Sequence, residues 1–488
     1  MKEVKFNYKE LGLKVGLEIH FQLDVSKKLF CSCSSMLKEK DYKDIVIRKL
    51  HPTFSELGEI DLAAKYEYLR DRTFLYEVFE KETCLVELDE EPPHNVNKEA
   101  LIIALQIAKL FNCKIPDEIY VMRKIVIDGS NTSGFQRTMI VGFDGYFIFK
   151  DKRVPITQIC LEEDSAAIDK EENGKVYYKL NRLGIPLVEI DTGILEDFEP
   201  TEIEEIAYHI FLIAASTKRI RKVLGSIRQD VNVSIKNGAR VEIKGIQRLS
   251  LISKVIENEV KRQLDLINSG KRVEKETRAA LEDGTTEFMR PLPGAQRMYP
   301  ETDIKPIRVE ELLKDIKECR SLISIIEKYE KEYKLSKELI NSLLKSDYFY
   351  LVEEIVDETG LEASLVAGIL TSTIKEIEKK EKIKFDLNEN KLKEFFNALK
   401  KELVFKEAAY DILKEMCINK EEKIENIINK LNLRPMSEEE IRNIVREELL
   451  KVKDLKKIEG IVISRVRGRA NIKKVIEIIR EELNKSKV

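Results

Sequence analysis

Three short segments carry the side chains best suited to chemistry. In KVGLEIHFQL, Glu18 and His20 alternate with Val15, Leu17, Ile19 and Phe21, so a strand sets them on one face, roughly 7 Å apart at Cα. The run CLEEDSAAI places Glu162, Glu163 and Asp164 in succession, and Glu189 ends the apolar stretch of GIPLVEIDTG just before turn residues. An imidazole and several carboxylates that converge make a donor set for a divalent cation such as Mg2+, with room left for the phosphates of ATP. Taken singly, each also reads as a solvated strand residue or an acidic surface turn. Convergence in space separates the two readings.

A strand of the same kind is predicted at IRQDVNVSI, with Val231, Val233 and Ile235 on the buried side and Asp230, Asn232 and Ser234 on the open one. VEIK then offers Glu242 and Lys244 in the same alternation, so two neighbouring segments can line one polar surface. Helices are predicted at 98–112 and 201–217; the second opens with Thr201-x-x-Glu204, a capping-box pattern directly after Pro200. The proline-rich segment FMRPLPGAQRMYPETD cannot form a long regular element and reads as a crossing between domains. Beyond about 308 glycine becomes scarce and helical periodicity takes over, with helices predicted at 308–318, 335–345, 348–357 and 390–403 and another starting at Ser437-x-x-Glu440. The expected architecture is an α/β domain with mixed or antiparallel sheets over 1–305, then an all-helical middle domain (306–405) and tail domain (406–488).

A chain of 488 residues exceeds what one hydrophobic core organises. Basic and acidic residues nearly cancel, 85 against 88, so an RNA partner has to be met by local patches rather than by overall charge. The most basic local set near the terminus is Arg465, Arg467, Arg469, Lys473 and Lys474 around Gly468, suited to phosphate contact and equally to a solvated helix face. Seven cysteines, an odd number, do not form a disulfide framework. Cys31 and Cys33 form a CSC pair with no CxxC after it, too few ligands for a structural zinc, and Cys84, Cys113 and Cys160 are expected as small buried hydrophobes. With no apolar leader in MKEVKFNYKE and no long apolar window, a cytoplasmic protein without membrane attachment is expected. The chain has no GxxxxGK[ST] loop, no GxGxxG, no HExxH and no GxSxG. If it uses ATP, basic residues and metal-binding carboxylates must hold the phosphates. It also shows no glutaminase constellation, so any ammonia must come from elsewhere.

Eight segments occur in order: VGLEIHFQLDVSKKLFCSC, TCLVELDEEPPH, VMRKIVIDGSNTSGFQRT, ICLEEDSAAI, LNRLGIPLVEIDTG, GSIRQDVNVSI, ARVEIKGIQ and RPLPGAQRMYPETD. Together they resemble the B/E family of tRNA-dependent amidotransferase subunits, most closely its archaeal E type, and RGRAN resembles the family's helical tail. The resemblance covers nearly the whole chain. It implies a cradle domain in which ATP phosphorylates the γ-carboxylate of glutamate on tRNA(Gln), after which ammonia displaces phosphate. It implies Glu-tRNA(Gln) as substrate, an asparaginase-like D subunit as the ammonia source, and a heterodimer or a dimer of heterodimers. Carried over motif by motif, Glu18, His20, Glu162, Glu163 and Glu189 are the expected catalytic residues. Of these, His20, Glu162 and Glu189 are the expected direct Mg2+ ligands, with Glu18 helping through water. Arg228 and Lys244 are expected at the phosphates of ATP or in structural pairing with nearby carboxylates, and the basic set at 465–474 at tRNA. Some B-type relatives bind zinc through a CxC followed by a CPxC pair; only the first half stands here, so no zinc is expected. The E type usually carries a large inserted domain before the RPLPGA segment, for which 267–294 leaves no room. Two further readings stay open: a noncatalytic tRNA-binding scaffold, and a B-type subunit acting with an amidase-like partner.

Overall fold

The alternating residues at 14–22 form strand β1 (Lys14–Gln22), in the interior of an 11-stranded sheet. In chain order follow β2 (Asp44–Arg48), β3 (Thr73–Val78), β4 (Glu118–Ile119), β5 (Met122–Ile125), β6 (Phe135–Phe149) and β7 (Lys152–Glu163). Next come β8 (Ala167–Glu172), β9 (Lys175–Lys179), β10 (Pro186–Thr192), β11 (Leu195–Glu196) and β12 (Ile227–Ser234). The series ends with β13 (Val241–Ile246), β14 (Glu276–Ala280), β15 (Thr286–Pro291), β16 (Met298–Pro300) and β17 (Ile307–Arg308). The main sheet runs β15-β14-β13-β12-β1-β10-β7-β6-β5-β16 with β11 beside β1, and only its β13–β14 pair is parallel. A four-stranded sheet, β2-β3-β9-β8, is parallel only at β3–β9. The expected domain of mixed sheets followed by helices is therefore what the chain forms. This computed structural model describes residues 6–485 apart from 39, 55–57, 222–224, 247, 295–297, 317–320, 345, 347, 350, 384, 386, 421 and 452–454. Gln247 and residues 295–297 of two of the motifs, and part of the helix predicted at 308–318, thus lie outside the described residues.

Four helices matter to the sheet: α1 (Leu62–Leu69), α2 (Lys98–Leu110), α3 (Pro200–Ala215) and α4 (Ile252–Asn268). Asn97 caps α2 by accepting the Ala100 N–H at 3.1 Å. The buried face of α2 packs on β6 and β7, an approach that needs Gly142, where a Cβ would stand 2.8 Å from that of Ala108. The start of α3 differs from the sequence expectation. Pro200 takes the first helical position, which suits its fixed φ, so Glu199 becomes the cap and the Glu202 carboxylate accepts the Glu199 N–H at 3.1 Å. Glu204, expected in that role, instead accepts from Ser253 Oγ at 2.6 Å.

One face of the main sheet is apolar. Ile19, Ile190 and Ile159 form one cross-strand row and Phe21, Val188 and Leu161 the next, all fully buried. Each such side chain stabilises the fold by about 1.5–3 kcal/mol. Phe211 of α3 meets Phe21 at 6.4 Å between ring centroids, so the helices lie on this side. The polar residues of the same strands are thereby set on the other face.

The sheet also curls until its two ends meet. Arg290 of β15 forms an ion pair at 3.5 Å with Asp128, just beyond β5 at the opposite end. Helix α1 touches both: Tyr66 lies against Phe288 of β15, while Ala64 packs with Ile125, Ile127 and Tyr299. Laid flat, ten strands would hold those edges roughly 40 Å apart.

The chain divides into two compact units, Met1–Ile323 and Ser324–Val488. The regular elements described in the second are helical, and Lys337–Leu344, Leu351–Thr359 and Glu389–Lys400 fall where periodicity predicts them. Near the end, helices Glu438–Lys451, Leu455–Val466 and Ile472–Lys485 enclose Val445, Val462, Val466, Val475 and Ile479. The first of them starts as expected: the Glu440 carboxylate accepts the Ser437 N–H at 2.7 Å. No described helix is long and apolar enough to cross a membrane.

Candidate active site

Register brings the first two candidate residues together. His20 on β1 is the cross-strand partner of Glu189 on β10, and His20 Nε2 is hydrogen-bonded to Glu189 Oε2 at 2.8 Å. Glu162, on the next strand β7, joins them, with one donor atom from each of His20, Glu162 and Glu189 mutually within 4.8 Å. A residue not singled out from sequence completes this group. Lys124 of β5 places Nζ 2.7 Å from Glu162 Oε1 and 3.6 Å from Glu189 Oε2. Gln136 of β6 donates to Glu162 Oε2 at 3.0 Å. Burial opposes the charge on His20, but the Glu189 carboxylate overrides it and pushes the imidazole up to about 9. Burial likewise opposes the charge on Glu189, and Lys124 and His20 overcome it, holding that carboxyl well below the usual range.

Glu18 stands in a neighbouring group instead. Its cross-strand partner on β12 is Asp230, and one oxygen each of Glu18, Asp230 and Glu242 lie within 4.8 Å of one another. Lys244 fills this second group, 2.7 Å from Asp230 Oδ2 and 3.2 Å from Glu242 Oε1. Burial opposes its charge, but the surrounding carboxylates keep the ammonium well above an ordinary lysine. Thr277 Oγ1 donates to Glu242 at 2.8 Å, and Asn232 Nδ2 to Glu18 at 2.9 Å. Glu18, expected to help through water, is thus outside the His20 donor group; two residues along β1, it groups with Asp230 and Glu242 while still feeling the charge of Glu189.

Glu163 is also moved. Successive strand residues point to opposite faces, so it turns away from Glu162 and accepts the Arg137 N–H at 2.9 Å, beside Phe30, Asn131 and Thr132. Asp164 stays near the site as an anchor. Its carboxylate accepts from Arg228 Nη2 and from Gln22 Nε2, both at 2.6 Å, and the pair of Arg228 and Arg182 outweighs burial to hold it below its ordinary value. Arg228 therefore borders the site as an arginine already engaged on one side.

The cysteines correct another expectation. Cys84 is not an isolated thiol: with Glu87 it faces the CSC pair, and donor atoms of Cys31, Cys33, Cys84 and Glu87 lie within 4.8 Å of one another. The Cys31 thiol donates to Glu87 Oε1 at 2.9 Å, and Lys28 Nζ stands 3.2 Å from the same oxygen. Three thiols and a carboxylate are a four-donor set fit for a tetrahedral cation of the zinc type. The CPxC pair is absent, but Cys84 and Glu87 stand beside Cys31 and Cys33 as two further donors.

In the tail the basic residues are not equivalent. Arg465 Nη1 is paired with Glu447 at 3.1 Å and Glu448 at 2.7 Å, and Lys474 lies 3.9 Å from Glu402. Arg469 Nε donates to the Arg434 carbonyl at 3.4 Å. Arg467 and Lys473 are exposed.

Comparison with known proteins identifies the family. Residues 13–315 match the model described as GatB/GatE catalytic domain, and residues 347–483 the one described as GatB domain. The chain is 35% identical to the glutamyl-tRNA(Gln) amidotransferase E subunit of Methanocaldococcus jannaschii, over 89% of this chain and 91% of that protein. It is 34% identical to the protein of the same name from Saccharolobus solfataricus, over 98% and 99% of the two chains. To that of Caldivirga maquilingensis it is 36% identical, over 76% and 81%. The alignment with the M. jannaschii protein extends over 578 positions, more than the 488 residues here, so that relative carries residues with no counterpart in this chain. A domain match over more than half of the chain, joined to relatives covered almost end to end, settles the family: the chain belongs to the archaeal E type of the B/E family, subunits of tRNA-dependent amidotransferases.

Proposed function

We propose that the polar face of the main sheet is where Glu-tRNA(Gln) is converted to Gln-tRNA(Gln). A carboxylate is a poor electrophile toward ammonia because an oxide would have to leave. Transfer of the γ-phosphoryl group of ATP to the glutamyl carboxylate oxygen releases ADP and makes an acyl phosphate. Ammonia then forms the C–N bond, the C–O bond to phosphate breaks, and inorganic phosphate departs.

His20, Glu162 and Glu189 are the residues that would hold Mg2+, and three donors at this separation leave positions for water and phosphate oxygens. When bound, the ion supplies neutralisation of the charge that builds up as an anionic carboxylate meets a triphosphate. Lys244 and Arg228 add positive charge along the same face, each already oriented by carboxylates. Ammonia comes in this reading from an asparaginase-like D subunit in a heterodimer or a dimer of heterodimers. The tRNA is met by the tail, where Arg467 and Lys473 are the exposed cations best placed for phosphate.

The observation that carries this proposal is the convergence of His20, Glu162 and Glu189, which a scaffold that only binds tRNA does not require. The test is formation of Gln-tRNA(Gln) by the purified chain given Glu-tRNA(Gln), ATP, Mg2+ and free ammonium, with His20→Ala and Glu189→Ala alongside. Product is expected from the wild type and a loss of about a hundredfold or more from folded variants. No product despite tRNA binding, even with the partner glutaminase added, overturns the catalytic reading in favour of the scaffold.

A further inference from the structure

Both oxygens of Glu162 are engaged. Gln136 Nε2 holds Oε2 at 3.0 Å and Lys124 Nζ holds Oε1 at 2.7 Å. Glu189 Oε2 faces two cations, His20 Nε2 at 2.8 Å and Lys124 Nζ at 3.6 Å. Lys124 is thus lodged between the two carboxylates that, with His20, make up the donor set. Its backbone is fixed in β5, where it is the cross-strand partner of Gln136. The ammonium, however, rides on a flexible four-carbon stem and can leave without any strand moving.

A Mg2+ ion sits about 2.0–2.1 Å from its oxygen ligands, inside the distance the ammonium now keeps. An ion bound through the same oxygens and Lys124 in its present place would bring like charges together in a buried setting, where repulsion is least screened. Lys124 must then turn away, and it needs another anion to turn to.

We propose that Lys124 is an exchangeable cation and nucleotide-binding residue of this site: it closes the donor set while no divalent ion is bound, and moves to a phosphate oxygen of a nucleoside triphosphate when one is. This rests on the function proposed above. It adds a coupling between ligands. The divalent ion alone has to evict a paired lysine, whereas the nucleotide supplies the anion that receives it, so each ligand strengthens binding of the other.

The test uses the full chain and Mn2+ as the probe ion, whose affinity is read by electron paramagnetic resonance without nucleotide. Affinity for a non-hydrolysable ATP analogue is then read at saturating Mg2+. Lys124→Met is expected to bind Mn2+ about tenfold more tightly than wild type and the analogue about tenfold more weakly. Lys124→Arg, which keeps the charge, stays closer to wild type in both. Lys124→Gln carries the same test should the Met variant not fold. Unchanged or weaker Mn2+ binding in folded Met or Gln variants, beside a wild type that binds, makes Lys124 a fixed ion-pair partner and overturns the inference alone. Wild type and folded Met variant that alike bind no Mn2+, with the ATP analogue present as well as without it, remove the metal site, and with it both readings.

Discussion

His20 and Glu189 face each other across adjacent strands and meet side chain to side chain at 2.8 Å, with 14% and 11% of those side chains exposed. So little exposure gives the pair two opposed influences on one proton. Desolvation works against the imidazolium, and Glu189 works for it. Glu189→Gln removes the largest raising influence and leaves burial opposed only by the weaker pull of Asp230 and Glu162, so the His20 pKa is expected to fall from about 9. Titration of the His20 ring protons by NMR in metal-free protein reads this directly, and a value that stays near 9 rules out Glu189 as the cause. The stability consequence has a definite sign. Because its folded-state pKa lies above the unfolded one, the contribution of His20 is full below about pH 6 and is lost as pH rises through about 9, while that of Glu189, whose pKa is depressed, is lost instead in acid.

Two glycines with left-handed backbone should respond differently to alanine. Gly129 has φ +95°, and a Cβ there would lie 2.3 Å from the Phe74 ring; Gly174 has φ +75° and nothing within 4 Å. Gly174→Ala is expected to cost about 1 kcal/mol, the conformational penalty alone. Gly129→Ala adds a collision with a buried ring and is expected to cost about 3 kcal/mol or more. Thermal unfolding of both variants decides it, and equal losses would mean that Phe74 yields.

The thiol group predicts bound metal. Chain purified without chelator and supplied with zinc is expected to hold about one zinc per molecule by elemental analysis, with the ion lost when Cys31 and Cys33 are both changed to serine. Cys113→Ser, remote from the cluster, should leave the content unchanged. Protein that takes up no zinc would show three free thiols held only by Glu87 and their neighbours.

For tRNA, exposed cations should behave differently from one held in ion pairs. Arg467→Ala and Lys473→Ala are each expected to weaken binding severalfold and to reduce the salt dependence by about one phosphate contact. Arg465→Ala should change tRNA affinity less, because that guanidinium is already committed to Glu447 and Glu448. Equal losses at all three positions in a filter-binding titration would contradict this ranking.

What was legible in the sequence followed from alternation. Glu18 and His20 on one face of β1, Asp230 and Asn232 on β12, and Glu242 with Lys244 on β13 are all where a period of two puts them. Extended to the EED run, the same rule turns Glu163 away from Glu162. Sheet order was beyond reach, because nothing local says that β10 returns to lie between β1 and β7. That order decides which carboxylates share a group, and so sends Glu18 to Asp230 rather than to Glu162. Lys124 and Cys84 escaped for a related reason: Lys124 meets Glu162, and Cys84 meets Cys31 and Cys33, about forty residues or more away along the chain, where spacing carries no signal.

The order of strands around the site has a consequence for how the protein is made. The first of the three clustered donors emerges from the ribosome at position 20 and the last at position 189, and the strand carrying the first cannot be flanked on both sides until β12 has followed. A chain interrupted between position 189 and β12 carries all three donors on a β1 that is still unpaired on one side. Contacts this distant in sequence are slow to form. The donor group of His20, Glu162 and Glu189 is therefore completed late in synthesis.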